Sequence, residues 1–567
     1  MSFQRKRPSE AISPKSAPIR TTHGGRIAPR IAAWLFIMLF ACYGYFHQGG
    51  NWHQNSRFDQ VQSIVENHQL EINEFLRYQV IADAAGSTRV VRVRDSLNID
   101  RSSPPLFSNT GDVSIHAGRV YPNKPPGTVL LAVPMYWTVA QFESLAGLHL
   151  DKWWVWTVNG YLTTVLSVGL LSAIGGVLFY FVSRRIFPDL PEWVHVATTL
   201  AYGLGTLILP FATMLFDHNL VAAVSLAAFS ILLAVRQESS RFAPAGVSYL
   251  VVGLLCGFNV LLNYLAVVIV GWLMAYGLLS AKKRVHFLCY CFAGMAAPLI
   301  FLLWYHLVCF GSPTATANTY QLEMFRSDGA LLFGMLGLPK PKVLYDLLFP
   351  PYRGIFFSSP VLLLAPLGLF LTGRDKQRRP EALICTAIFA SYWVLNSAFI
   401  EWHAGWTLGA RYLVPALPFL CLPLAPAFIL LPRMACGFGA VSMAIMLLGT
   451  AVDPLVPSTV SYPLGYHARI LSQTEKLERN GVRFDGPLSA SPIGMHESWD
   501  FPSASLTLDQ RKWQSFNLGE FLWQGSFWSL APLAMILSFG LIGVWRILGQ
   551  TEKNSRMVPS EISAASG

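Results

Sequence analysis

The residues that could do chemistry stand at the edges of apolar runs. Lys124 lies within Tyr121-Pro122-Asn123-Lys124-Pro125-Pro126-Gly127, where three prolines fix φ and push the residues before them out of the helical region. Lys124, between Asn123 and Pro125, is thus presented on a stiff strap. A cation held rigidly at a membrane surface suits a phosphate; the simpler alternative is a lysine snorkelling to lipid headgroups. Asp217-His218 and Asn263-Tyr264 sit at other ends of apolar runs, followed by Tyr352-Arg353-Gly354, Glu401, His403 and Arg411-Tyr412. Ionisable groups at membrane depth are costly and face a cavity or a partner, although Asp217 and His218 at a loop could simply be hydrated. Arg353 reads either as an anchor or as a phosphate clamp. Arg411 enters an apolar run from the side where basic residues are rare, which favours binding over orientation. Neither His218 nor His403 stands at metal-ligand spacing from a neighbour.

The scaffold that positions them is set by composition. Hydrophobic residues make up 53% and charged residues 13% of the 567, with a mean hydropathy of +0.42, against roughly 25% charged in soluble domains. This predicts an all-α polytopic membrane protein. The formal net charge of +11 falls in the first thirty residues and in short loops, so membrane topology explains it and no nucleic-acid partner is implied. The eight cysteines all lie in or beside apolar segments, without metal spacing or a disulfide framework. No GxxxxGK[ST] loop suggests ATP use.

Taken in order, residues 1–30 read as a basic, disordered cytoplasmic tail and 31–46 as the first span. The first extracytoplasmic loop, 48–154, begins with a helix in which Phe58, Val61, Ile64 and Val65 share a face while Arg57 and Asp59 project elsewhere. That pattern predicts a helix lying along the membrane interface, apolar side down. Val90, Val91 and Val93 alternate with arginines and predict a strand or hairpin. The run 128–148 is long enough to span, but counting it as a span would place Arg184-Arg185 and every later basic cluster outside. It is therefore read as interfacial or re-entrant. Further spans are expected near 155–182, 194–214, 218–236, 247–262, 264–281, 285–308, 355–373, 381–399, 412–432, 434–452 and 526–548. The total is about twelve, with both termini cytoplasmic. In this reading 31–452 is a membrane core, 453–525 an extracytoplasmic segment and 549–567 a cytoplasmic tail.

With these pieces in place, the chain resembles the GT-C class of membrane glycosyltransferases. It is similar to the polyprenyl-phosphate-sugar-dependent enzymes grouped with the protein mannosyltransferases and aminoarabinose transferases, and is glycosyltransferase family 39-like. The matching pieces are the Asp59-bearing helix, Asp112 with Gly118 to Gly127, Asp217-His218, Tyr352-Arg353-Gly354 with Ser359-Pro360, and Trp406 to Pro418. They extend over residues 30–420, and Tyr-x-x-Lys-Pro-Pro-Gly is the most specific of them. One departure stands out: many members carry two adjacent acidic residues on the first-loop helix, where here Asp59 is followed by Gln60.

The resemblance implies a GT-C fold in the inner (plasma) membrane, with its site on the extracytoplasmic face. It implies a polyprenyl-phosphate sugar as donor and a glycan, lipid or protein hydroxyl as acceptor. A donor already activated by phosphate needs no acid, so transfer requires a carboxylate base for the acceptor and cations for the departing phosphate. Asp59 is the first choice of base and Asp112 the reserve; Lys124, Arg353 and Arg411 are the phosphate candidates. Arg57, Tyr121, Asn123, Asp217, His218, Asn263, Tyr264, Glu401, His403 and Tyr412 complete the candidate site. A divalent cation is compatible with the resemblance, since some members use one and others do not. A lipid-linked-sugar flippase or other secondary transporter would also have about twelve spans, but would show inverted repeats; none is evident. A polysaccharide polymerase or ligase would centre on a large late loop, whereas here the first loop is the richer one.

Overall fold

The computed structural model describes residues 24–82, 88–92, 110–148, 153–238, 244–326, 331, 334–468, 470–471, 515–523 and 527–556. Among them, nine helices are long and apolar enough to cross a membrane. Arg411–Cys421 and Leu424–Leu430, bent by 59°, make a tenth if counted as one span. Tyr264–Ser280 and Pro360–Arg374 are apolar but shorter. The expected span at 194–214 breaks after helix Glu192–Leu204 and resumes as the five-residue helix Ile208–Ala212. Thr206 sits in the break, its Oγ1 donating back to the Tyr202 carbonyl and accepting from the Ile208 N–H, a local hydrogen-bonding alternative to the helix ladder.

The first helix, Gly24–Tyr45, packs against Leu170–Ile186 and against the last helix, Ala531–Arg556. Residues 24–30 and 549–556 are thus helical, where tails were expected. Just past the first helix, Phe46–His47 pairs antiparallel with Phe516–Asn517. Gly49 N donates to Ser515 Oγ at 2.5 Å, and Tyr45 Oη to the Ser529 carbonyl at 2.5 Å. The chain returning to the last helix is therefore fastened to the C-terminal end of the first. Trp499 and Trp513 of the 453–525 segment lie outside the described residues.

Helix Trp52–Gln62 starts at Asn51, whose side chain accepts from Gln54 N. From His53 to Gln62 every residue is buried, which corrects the interfacial placement. Some of its polar side chains bond to other parts of the protein: Gln54 Oε1 accepts from Leu215 N at 3.0 Å, and Gln60 Nε2 donates to Leu70 O at 2.8 Å and Tyr305 Oη at 2.9 Å. Helix Gly127–Ala146 packs on it and on Trp153–Thr164, leaving Trp137, Phe142 and Leu145 exposed. By length and composition this helix could cross as well.

Two antiparallel ribbons complete the first loop. Tyr78–Ala82 pairs with Thr88–Arg92, as the valines predicted, with Val93 outside the described residues. Val113–His116 pairs with Arg119–Pro122 through the two-residue turn Ala117-Gly118, both at positive φ (49° and 74°), the geometry that suits the twist of a hairpin. This second ribbon leads directly into the strap.

Candidate active site

The strap is fixed at both ends. Tyr121 is buried against Tyr305, Cys309, Phe310 and Ala317, and the Asn123 N–H donates to the Asp112 carbonyl at 3.2 Å. At the far end, a Cβ on Gly127 would lie 2.6 Å from the Leu261 carbonyl oxygen, so only glycine allows the strap to run against helix Ala245–Leu262. Asp112 is set by its own turn: its N–H donates to Thr110 Oγ1 at 3.1 Å, and Thr110 Oγ1 donates to the Trp52 carbonyl at 2.7 Å.

These supports frame a cavity of about 260 Å³. Lys124, Asn123, Asp217, His218, Asn263, Tyr264, Arg411 and Tyr412 line it, as does His53. Among the described residues neither Lys124 nor Arg411 has a carboxylate within ion-pair distance. Arg411 is held by ring faces, its guanidinium 5.5 Å from the Phe216 centroid and 5.4 Å from that of Tyr412. Its Nε is buried with no hydrogen-bond partner among the described residues, as is Asn123 Oδ1. Buried polar atoms are ordinarily paired, so these two are open to a bound group.

Two carboxylates border the cations through His53. Its Nδ1 lies 3.5 Å from Asp112 Oδ2 and its Nε2 3.6 Å from Asp217 Oδ1, while the ring stacks on Phe216 at 4.0 Å. Burial, then Arg57, holds His53 down at about 3. The neutral ring has one N–H and can donate to one carboxylate at a time. Burial by itself pushes the Asp112 carboxyl up, but Lys124, His53 and Arg411 outweigh it and hold it well below the usual range. Asp217 behaves alike, with His218 and Arg57 overcoming burial.

The two acids are differently occupied. Asp217 Oδ1 accepts from Arg57 Nη2 at 2.6 Å and Oδ2 from Asn263 Nδ2, with His218 Nδ1 3.5 Å away. It is a hub joining helix Trp52–Gln62, the start of helix His218–Arg236 and the end of helix Ala245–Leu262. Among the described residues no such clamp holds the Asp112 side chain, whose neighbour is His53 Nδ1 at 3.5 Å.

Four placements differ from the sequence reading. Asp59 is wholly buried and absent from the cavity wall; at 3.6 residues per turn it projects about 120° around the helix from His53. Arg353 is buried beneath the 403–407 turn, donating to the carbonyls of His403 (3.0 Å), Tyr352 (3.2 Å), Thr407 (2.7 Å) and Gly405 (2.9 Å). Its donors hold backbone, which corrects the phosphate assignment. Glu401 and His403 contact each other at 2.8 Å away from the cavity. Tyr121, Arg57 and Asp112 stand behind the wall without lining it, Asp112 reaching it through His53.

Among solved structures the chain is similar to ArnT from Cupriavidus metallidurans bound to undecaprenyl phosphate. The identity is 15%, the TM-score 0.46, and the match covers 80% of this chain and 72% of that one. It is also similar to the archaeal oligosaccharyltransferase AglB from Archaeoglobus fulgidus, in complex with an inhibitory peptide and a dolichol-phosphate. There the identity is 10%, the TM-score 0.44, and the coverage 75% of this chain and 56% of that one. No protein family and no curated protein matches the chain.

Sequence reasoning missed His53, Thr316, Asn318 and Gln321, all on the wall. His53 was within reach, since it shares a helical stripe with Arg57 and Gln60 at i, i+4 and i+7. The other three come from the 309–353 loop and reach the site through tertiary contacts, such as Ser114 Oγ donating to the Ala317 carbonyl at 2.6 Å. Among the described residues no group of three or more His, Cys, Asp or Glu could hold a metal ion. Of the two acids, Asp217 has both oxygens already accepting, from Arg57 and Asn263.

Proposed function

We propose that this chain is a GT-C membrane glycosyltransferase that moves a sugar from a polyprenyl phosphate to an acceptor hydroxyl. The observation that carries the reading is a pair of cations, Lys124 and Arg411, that line one cavity with no carboxylate within ion-pair distance among the described residues, while Asp112, behind His53 and outside the lining, is close enough for both to lower its carboxyl. A phosphate between them places the sugar in the remaining space, against Asn123, Asn263 and Tyr264. Asp112 takes the proton of the acceptor hydroxyl as its oxygen forms the new bond to C1 and the C1–O bond to phosphate breaks. The configuration at C1 inverts, and the leaving phosphate keeps its electron pair without needing an acid.

The electrostatics favour this order of events. Lys124 and Arg411 lower the Asp112 carboxyl in the empty cavity; a bound phosphate offsets both cations and so raises the basicity of Asp112 when the donor is in place. Asp217 positions the wall and is too fully engaged to serve as base.

The site belongs to the extracytoplasmic face of the inner membrane, with both termini cytoplasmic. In support, the basic residues Arg236 and Arg378 meet Glu381 and Asp189 at the helix ends remote from the cavity, as positive-inside topology requires. Helix Gly127–Ala146 then lies at the interface.

The test is transfer in nanodiscs from a panel of radiolabelled polyprenyl-phosphate hexoses and pentoses to envelope acceptors. Wild type transfers label from one of them, and Lys124→Ala or Asp112→Asn abolishes it while the protein stays folded. Undiminished transfer by both variants contradicts the reading.

A further inference from the structure

The side chain that meets the cavity in front of Asp112 is His53. It lines the wall, whereas Asp112 does not, and its Nδ1 stands 3.5 Å from Asp112 Oδ2. Both ring nitrogens are buried with no hydrogen-bond partner among the described residues. In a side chain only 8% exposed, that is an unmet capacity of the kind a bound hydroxyl fills.

The surroundings fix which nitrogen carries the proton. A neutral imidazole has one N–H and one lone pair. Asp217 already accepts from Arg57 at Oδ1 and from Asn263 at Oδ2, while no comparable clamp holds Asp112 among the described residues. The N–H therefore belongs on Nδ1, toward Asp112, and the lone pair on Nε2. Burial, Arg57 one turn along the helix, and Lys124 keep the ring neutral and so able to accept. Its place as the second residue of helix Trp52–Gln62 adds the positive end of the helix dipole. The ring plane is set by Phe216, stacked at 4.0 Å with 17° between the rings. A charge arriving on this ring would lie between two carboxylates, Asp112 and, 3.6 Å from Nε2, Asp217. The His218 ring is 6.4 Å away.

We propose that His53 is a catalytic residue that carries the acceptor's proton to Asp112. Nε2 takes the hydroxyl proton as the acceptor oxygen forms its bond to C1 and the C1–O bond to phosphate breaks. Nδ1 gives its own proton to Asp112 Oδ2. The ring ends neutral with its N–H on Nε2, the proton ends on Asp112, and the electron pair stays on the leaving phosphate. The two carboxylates stabilise the positive charge that passes through the ring. Acceptor hydroxyl, His53 and Asp112 thus stand in the order nucleophile, base and orienting group. After the product leaves, the reverse shift returns the proton from Asp112 to Nδ1 and releases the one on Nε2 to water. This inference rests on the glycosyltransferase reading and adds the group through which Asp112 acts.

The test uses the full-length protein in nanodiscs, with the donor of the panel and the acceptor that give transfer, read by single turnover. His53→Gln keeps an amide N–H beside Asp112 but takes no proton. It should lower the chemical step about 10²- to 10⁴-fold and leave the KM for donor within about twofold of wild type. His53→Ala should be as slow, and added imidazole should restore part of its rate, which a merely structural role would not allow. On wild type, a proton inventory in mixtures of light and heavy water should be bowed, because two protons move in the step. A straight line is the result of direct transfer to Asp112 and overturns the relay, even where the variants do not fold. A full chemical rate in folded His53→Gln, with Lys124→Ala inactive, also overturns it and leaves the glycosyltransferase reading standing. A wild type that transfers from no donor in the panel overturns that reading and the relay together.

Discussion

At the scale of single residues, similar side chains have been put to different uses by their surroundings. Lys124 and Arg411 face the cavity without carboxylate partners among the described residues, whereas Arg353, equally basic, spends its donors on four backbone carbonyls. Arg353→Ala should therefore destabilise the fold by about 3 kcal/mol, because it strands buried acceptors. Arg353→Lys should recover little, since an ammonium cannot reproduce the fork. Denaturant titration of both variants checks this, and wild-type stability with selective loss of donor binding would restore the phosphate role. Asp112→Asn should lower transfer about 10²- to 10⁴-fold, the range for loss of a general base, and Asp59→Asn should leave the chemical step near wild type; single-turnover rates decide between them. Lys124 was legible in the sequence because prolines fix its backbone whatever packs around it. Arg353 and Asp59 were not, since the carbonyls around one and the helix face of the other depend on partners far along the chain.

Among the elements, the strap and the helix Trp52–Gln62 do the positioning. The strap runs so close to Leu261 that a Cβ on Gly127 would overlap its carbonyl. Gly127→Ala should shift Lys124 and cut transfer about 10²-fold, the scale of a one-ångström misplacement, chiefly through weaker donor use, while the helical content is unchanged. Steady-state kinetics against donor concentration would show it, and wild-type kinetics would mean the strap has slack. The sequence located helix Trp52–Gln62 from its apolar spacing but placed it on the interface. Its polar residues carried no sign that Leu215, Leu70, Tyr305 and Asp217 would satisfy them internally. The hairpin ending at Pro122 was read as loop, because Ala117 occupies a left-handed turn position that usually announces itself with glycine or asparagine. The long spans were legible from apolar length alone; the break after Leu204 was not.

At the scale of the whole molecule, polar groups buried outside the spans should make the fold acid-sensitive. Burial holds His47 down at about 3 and His467 at about 4, while an unfolded histidine titrates near 6.5. Below about 6.5 the unfolded chain binds protons that the folded chain does not, so stability falls as pH falls. Asp112 and Asp217, held below the ordinary carboxylate range, extend the loss under about pH 4. Denaturation midpoints should drop steadily from pH 7 to 4, and a rise over that interval would contradict the burial of these groups. The molecule as a whole joins a set of apolar helices to one cavity that brings cations and a carboxylate together, an arrangement suited, on the proposed function, to breaking the bond between a sugar and a lipid-linked phosphate. The most direct measurement of that claim is the fate of a radiolabelled polyprenyl-phosphate sugar given to the purified protein in sealed vesicles with acceptor on one side. The account predicts stoichiometric release of free polyprenyl phosphate together with labelled acceptor. Label that stays on the polyprenyl phosphate and only changes leaflets would contradict it and identify a flippase.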